Sequence, residues 1–345
     1  MIARAVCEDV FRAAVAACDP AVRVREAVAR LVPPNKAVLG VAIGKAALAM
    51  ARGAGPVVKG IAVAPQLDGK PLPLGWTARD AGHPVPDERS FAAGEAVLDL
   101  VRRAEPDDIV LVLISGGASA LVEQPTVLDY VARVASAMAS GMPIAQLNAL
   151  RTSLSNLKGG KLAQASRAPV ITLAVSDVIG DDVSVIGSGP SVPCTVAEVI
   201  APMRSFAEAV HARLPVLPLH EEPMRGHVTA LERGIHWGEP TLAIPADHGE
   251  GGRAQQLALE MARKLRGTAD SAFVAGSDGI DGPPPAGRPA PAGAYVDGTT
   301  WDAIGDAAAT RALERRDAGS VLAAVGALVI TGPTGINHAD LAVVG

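Results

Sequence analysis

Three cations in this chain each sit beside a glycine-rich turn: Lys45 in GVAIGKAA, Lys158 in LKGGK and Arg253 in GEGGRAQQ. Carboxylates gather in the same way. Asp177, Asp181 and Asp182 fall within SDVIGDD, and Asp278 and Asp281 within GSDGIDG. Further small-residue turns are Ser115-Gly116-Gly117-Ala118-Ser119, Gly187-Ser188-Gly189-Pro190 and the TGPTGIN stretch that holds Thr334 and Asn337. Glycines in such turns let backbone N–H groups approach an anion. Lysine and arginine neutralise an anion, and carboxylates with waters are what Mg²⁺ prefers. Together these groups make the inventory of phosphoryl transfer, which needs alignment and charge neutralisation more than covalent catalysis. Each also has a plainer reading. Aspartates commonly cap turns, a lysine after a strand can be a solvated surface residue, and a glycine-ended strand can be an ordinary connection. GVAIGKAA is not a Walker A loop, because its glycine spacing is short and no Ser or Thr follows Lys45.

A second chemistry competes. Residues Gly249-Glu250-Gly251-Gly252-Arg253-Ala254 match G-x-G-x-x-A, the fingerprint of a dinucleotide loop, with Asp270 spaced for a ribose contact. Asp270 precedes its strand instead of ending it, and Glu250 would stand close to a pyrophosphate. An NAD(P)-dependent reductase is therefore the alternative reading.

The elements that must position these residues follow from apolar runs and breakers. Residues 109–114 (IVLVLI) and 169–175 (PVITLAV) read as strands buried on both faces, each ending at a glycine turn. Residues 36–44 are a third such strand and lead into a helix over 45–52; 59–65 are a fourth. Ligands bind where such strands end in an open α/β sheet. The spacing predicts helices over 2–32 (broken at Asp19-Pro20), 91–104, 126–141, 196–214 and 301–313. On the first helix, Val6, Val10, Phe11 and Val15 form the apolar face. Residues 143–166 read as a long helical pattern broken at Gly159-Gly160, which puts Asn148, Arg151, Ser155 and Lys158 on one face. Residues 226–234 read as an edge strand, 239–245 and 271–276 as strands, and 327–344 as the last strand with TGPTGIN as its central turn. Arg253 falls in the first turn of the helix carrying Leu257, Met261 and Leu265, where an anion would relieve its conflict with the helix dipole. The proline-rich stretch 283–293 reads as a mobile loop. His83, alone in a loop, reads as structural. Pro215, Pro218 and Pro223 mark a boundary between domains at 1–222 and 223–345.

At 345 residues, two domains are expected. Hydrophobic residues make up 49% and aromatics only 3%, so the core must be built from Ala, Val, Leu and Ile, which suits helices packed on parallel strands. A net charge of −5 and no basic stripe argue against nucleic acid. Three cysteines at irregular spacing give neither a disulfide framework nor a zinc site, and no GxSxG elbow occurs. No run of 18 apolar residues exists, and Glu8 and Asp9 lie where a leader's apolar region would be. A cytoplasmic protein with no membrane partner is expected.

The stretches AIGKAALAMA, AGHPVPDE, LISGGASAL, LKGGKLA, SDVIGDD, IGSGP, GEGGRAQQLAL, GSDGIDGP and TGPTGINHADL stand in the order found in one family. The chain resembles the MOFRL-type glycerate 2-kinases, long labelled hydroxypyruvate reductases. That resemblance implies an α/β fold with a Rossmann-like N-terminal domain, a smaller C-terminal α/β domain and an active site in the cleft between them. It implies transfer of the ATP γ-phosphoryl group to the 2-hydroxyl of D-glycerate with Mg²⁺, in a monomer or homodimer. Carried over, Lys45 and Arg253 would face the transferring phosphoryl group, and Asp278 would serve the reacting hydroxyl. Ser115, Gly116, Gly117, Ser119, Lys158, Gly189, Gly251, Gly252, Thr334 and Asn337 would bind substrate or nucleotide, and Asp177, Asp182 and Asp281 the metal. The chain departs from the family at GGRAQQ, at DGPPPAGRPAPAG and at GPTGINHAD, which leaves kinase chemistry better supported than the identity of the acceptor.

Overall fold

The computed structural model describes residues 1–243, 245, 247–282 and 289–345. Residues 283–288, the heart of the expected proline-rich loop, lie outside the described residues. In chain order come α1 (Arg4–Ala17), α2 (Pro20–Leu31), β1 (Val38–Ile43), α3 (Ala47–Ala54), β2 (Lys59–Ala64), β3 (Trp76–Asp80) and α4 (Glu88–Arg102). There follow β4 (Ile109–Ile114), α5 (Ala118–Leu121), α6 (Tyr130–Ala139), α7 (Ile144–Ser153), α8 (Lys161–Gln164), β5 (Val170–Val175), β6 (Val196–Ala201) and α9 (Ser205–His211). The remainder is β7 (Gly234–Gly238), α10 (Arg253–Leu265), β8 (Ser271–Gly276), β9 (Gly293–Asp297), α11 (Thr300–Ile304), α12 (Asp306–Glu314), α13 (Ala318–Ala324), β10 (Leu328–Val329) and β11 (Asp340–Val344). No helix among the described residues is long and apolar enough to cross a membrane.

Two compact units emerge: Asp19–Pro202, and Met1–Cys18 together with Met203–Gly345. The units part at 18/19 and 202/203, whereas the prolines in the sequence place a boundary at 222/223. Unit Asp19–Pro202 holds a six-stranded parallel sheet in the order β3-β2-β1-β4-β5-β6. This is the strand order of a doubly wound Rossmann-type sheet. The apolar runs of β4 and β5 are buried at every position, as expected for strands covered on both faces. Two short residues make room for one large one: a Cβ on Gly40 or Gly60 would lie 2.4 Å or 2.6 Å from the Trp76 ring. That is why β3, a mostly exposed edge strand of sequence WTARD, can dock beside β2. Residues 196–201 pair with β5 as a strand, so the helix predicted over 196–214 is confined to α9.

The other unit has an antiparallel sheet, β10-β9-β8-β11-β7. One face takes α10, whose Leu257, Met261 and Leu265 are buried against Val274 and Val296. The opposite face takes α1. Its buried residues are Cys7, Phe11 and Ala14, while Val6 is exposed, so the apolar face is rotated from the one predicted. Phe11 meets Phe206 at 5.3 Å edge-on and Phe273 at 5.6 Å, and this aromatic cluster draws the N-terminal helix to the C-terminal sheet. The strand here is β7, not residues 226–234. Its GIHWG run is mostly buried and pairs with β11, whereas the residues before it are largely exposed. Helix 301–313 is divided at Gly305 into α11 and α12.

Candidate functional site

In unit Asp19–Pro202 the strand order reverses between β1 and β4, and such a switch point opens a crevice at the strands' carboxyl ends. Lys45 follows β1 there and Ser115-Gly116-Gly117 follow β4. The two turns are tied together: Ser115 N–H donates to the Ile43 carbonyl (2.9 Å), and Lys45 N–H to the Gly116 carbonyl (2.9 Å). The buried Ser115 hydroxyl accepts from Ala46 N–H at 3.0 Å. Gly44 (φ +128°) allows this approach, since a Cβ on it would lie 2.2 Å from Ser115 Oγ. Gly117 adopts φ +85°; the His83 ring stands 3.1 Å and Lys45 Cγ 3.5 Å from where its Cβ would be. The half-buried Lys45 and the exposed His83 thus flank one glycine.

Further glycine turns join this one. Ser119 Oγ lies 2.9 Å from Ser188 Oγ, and Ser188 in turn donates to Asn148 Oδ1 at 3.1 Å. Gly159 N–H donates to the Ser188 carbonyl (3.1 Å) and Gly160 N–H to that of Gly189 (2.8 Å). The SGGAS, LKGG and IGSGP motifs therefore form one stitched cradle. Asp177 follows the carboxyl end of β5 and is half-buried.

The other unit assembles a second group of charges. Arg253 opens α10, and its Nε and Nη2 reach Asp340 Oδ2 and Oδ1 at 2.6 Å and 3.3 Å. Its Nη1 lies 2.6 Å from Glu239 Oε1. Burial alone would lower the Arg253 pKa, but the charges of Asp340 and Glu239 more than offset it and hold the guanidinium firmly protonated. Burial, aided by repulsion from Glu239 and Asp278, holds the Asp340 carboxyl above the usual carboxylate range despite Arg253. Asp278 stands just past β8, where its carboxylate and that of Asp340 approach Gly276 from 3.2 Å and 3.4 Å of a notional Cβ. Thr334 pins this turn, donating from Oγ1 to the Ser277 carbonyl (2.5 Å) and from N–H to the Asp278 carbonyl (3.0 Å). Asn337 is buried in the same loop.

Two family models match the chain: "Domain of unknown function (DUF4147)" over residues 6–214 and "MOFRL family" over 234–340. A Pyrococcus horikoshii protein named glycerate 2-kinase is 30% identical over 86% of this chain and 84% of its own. An Agrobacterium vitis relative with the provisional name of a hydroxypyruvate reductase is 32% identical over 98% of this chain and 93% of its own. The chain belongs to the MOFRL-type glycerate kinase family. A crystal structure of glycerate kinase from Thermotoga maritima superposes with a TM-score of 0.83 at 26% identity, covering 99% of this chain and 98% of that one.

Within this glycerate kinase family member, several predicted site residues do other work. The predicted polar helix face does not exist: α7 ends at Ser153, and Lys158 turns inward to pair with Glu123 at 2.6 Å, both fully buried. Lys158, expected at substrate or nucleotide, is thus a buried cation paired within the protein. Asp281, expected at the metal, is likewise engaged by the protein itself. Its carboxylate accepts from Ala254 N–H (3.0 Å), Gln255 N–H (2.8 Å) and Gln255 Nε2 (2.9 Å), capping α10. The anion expected at this helix start is the protein's own. Burial, with Asp340 nearby, pushes the Asp281 carboxyl up to about 6. Asp182 is exposed and accepts from Ser184 N–H and Oγ, bonds that hold its carboxyl below the usual range. No group of three or more His, Cys, Asp or Glu suited to a metal occurs among the described residues.

The dinucleotide fingerprint also dissolves. No described residue between β7 and Arg253 is in a strand. The Gly252 turn is filled by Asp281, whose Oδ1 would lie 2.2 Å from a Cβ there, and Gly251 packs on Gly319. The Ala254 and Gln255 N–H groups, which a pyrophosphate would need at that helix start, are bonded to Asp281 instead. What the motifs did not single out are Glu239, Asp340, Glu123 and the placement of His83. Asp340 and His83 lie inside family stretches, but only the fold turns them toward Arg253 and Gly117.

Proposed function

We propose that this chain is an ATP-dependent kinase that transfers the γ-phosphoryl group to the 2-hydroxyl of D-glycerate, giving 2-phosphoglycerate and ADP. The observation that carries the reading is the cradle at the β1/β4 switch point, with Lys45 beside Gly117, in a chain of the glycerate kinase family. Backbone N–H groups of a glycine turn and a lysine are the means by which a protein holds phosphate oxygens. In this reading Gly116, Gly117, Ser119 and Gly189 line the phosphate path, and Lys45 and Arg253 neutralise charge as it develops. Asp278 accepts the proton of the attacking hydroxyl as the oxygen–phosphorus bond forms and the bond to the β-phosphate breaks. Thr334 holds the Asp278 turn, and Asn337 belongs to the same loop.

The donor set suits a magnesium ion carried by the nucleotide's own phosphates, which needs only one or two protein carboxylates. Asp177, half-buried at the end of β5, would supply one. When bound, the ion neutralises charge on the phosphates. The reading further places the protein in the cytoplasm, acting on small anionic substrates.

A phosphorus NMR time course with the protein, Mg-ATP and D-glycerate tests this. A 2-phosphoglycerate resonance growing with ADP is expected. A 3-phosphoglycerate signal would overturn the regiochemistry, and oxidation of NADH by hydroxypyruvate with ATP left intact would overturn the kinase.

A further inference from the structure

Arg253 has two carboxylate partners of different character. Asp340 is 4% exposed and sits at the start of β11, where its backbone lies in register with Gly238 of β7 on one side and Gly276 of β8 on the other. Its carboxylate takes the Nε/Nη2 edge of the guanidinium. Glu239 is the residue just after β7, its side chain is 41% exposed, and it takes Nη1. A guanidinium binds a planar or tetrahedral anion best through two parallel N–H groups. With Asp340 on one edge, the remaining pair is Nη1/Nη2, and Glu239 stands on it.

We propose that Glu239 is a displaceable counter-ion that an anionic oxygen of substrate replaces on Arg253, while Asp340 is the positioning residue that keeps the guanidinium aimed. This rests on the reading of Arg253 as a substrate-facing cation. An exposed glutamate leaves at small cost because water takes over its solvation, whereas Asp340 has no such exit. The pair thus separates two functions: Asp340 fixes direction, and Glu239 masks the charge until an anion of phosphoryl or carboxylate type arrives. Such masking sets a threshold for anion strength, so that weakly charged ligands fail to displace it.

The two roles predict opposite signs for removing one negative charge. Glu239→Gln should tighten equilibrium binding of an anion about three- to fivefold, the worth of one exposed ion pair. Asp340→Asn should weaken it at least about tenfold, because an unaimed guanidinium loses its fork. Calorimetric titration of the full chain with inorganic phosphate, and separately with D-glycerate, reads both, and the titrant that responds identifies which anion replaces Glu239. KM for that substrate should fall in Glu239→Gln with kcat changed less. Weaker or unchanged binding of both titrants by Glu239→Gln, or tighter binding by Asp340→Asn, overturns the proposal. If Asp340→Asn does not fold, Glu239→Gln decides alone. Opposite signs in a protein that does not phosphorylate glycerate would sustain this inference and sink the glycerate reading instead.

Discussion

Replacing Lys158 with Met leaves the fully buried Glu123 carboxyl group without its cation. Lys158 Nζ lies 2.6 Å from Glu123 Oε2 and 3.3 Å from the Val122 carbonyl. Glu123 Oε1 also accepts from Gln124 N–H at 2.9 Å and from the Ser155 hydroxyl. At an effective dielectric of about 20, charges at this separation attract by about 6 kcal/mol. Removing each ion from water costs several kcal/mol, so the intact pair comes out near neutral. Burial lowers the Lys158 pKa while Glu123 opposes the shift, as this balance requires. Losing one partner is another matter and should cost about 3–5 kcal/mol. In Lys158→Met/Glu123→Gln the stranded charge is gone and the amide still accepts from Ser155, so most of that loss should return. Urea-dependent hydrogen exchange at peptides from β4 and β5 reads the stability of this unit. A Lys158→Met loss below about 1 kcal/mol, or a double variant that loses the sum of both singles, would refute the reasoning.

Asp281 ties stability to pH. Its carboxyl sits at about 6 in the fold against 3.8 for an ordinary aspartate, so the native state holds the proton more tightly than the unfolded chain. Its contribution is therefore fully present below pH ~4 and is lost as pH rises through 6, by about 3 kcal/mol. Asp281→Asn should flatten this slope in urea midpoints compared from pH 4 to 7. Asp278→Asn should lower kcat for glycerate phosphorylation by about 100-fold or more if the carboxylate takes the hydroxyl proton; unchanged turnover removes it from that role. Gly117→Ala forces a Cβ into a left-handed residue, a cost of about 1–2 kcal/mol, and presses on His83 and Lys45. Its KM for ATP should rise while the thermal midpoint falls only a few degrees.

Much of the parallel sheet was legible because strands buried on both faces must be continuously apolar: β1, β2, β4 and β5 each announce themselves in this way. The glycine motifs were legible too, since turns that adopt positive φ need glycine whatever they bind. Strands β3 and β6 were not, because an edge strand that is largely uncovered takes its identity from the partner it pairs with. The same holds for α1. Its sequence declares a helix, but only Phe206 and Phe273 decide that it packs with the C-terminal sheet. Charges divide in the same manner. Local spacing marked Lys45, Lys158, Arg253 and Asp281 as alike, each a charged group beside glycine. Tertiary packing separated them, burying Lys158 against Glu123, spending Asp281 on the start of α10, leaving Lys45 half-buried beside Gly117 and setting Arg253 between Glu239 and Asp340. A side chain's type is written in the chain, but the partners that fix its charge and aim come from strands far apart in sequence.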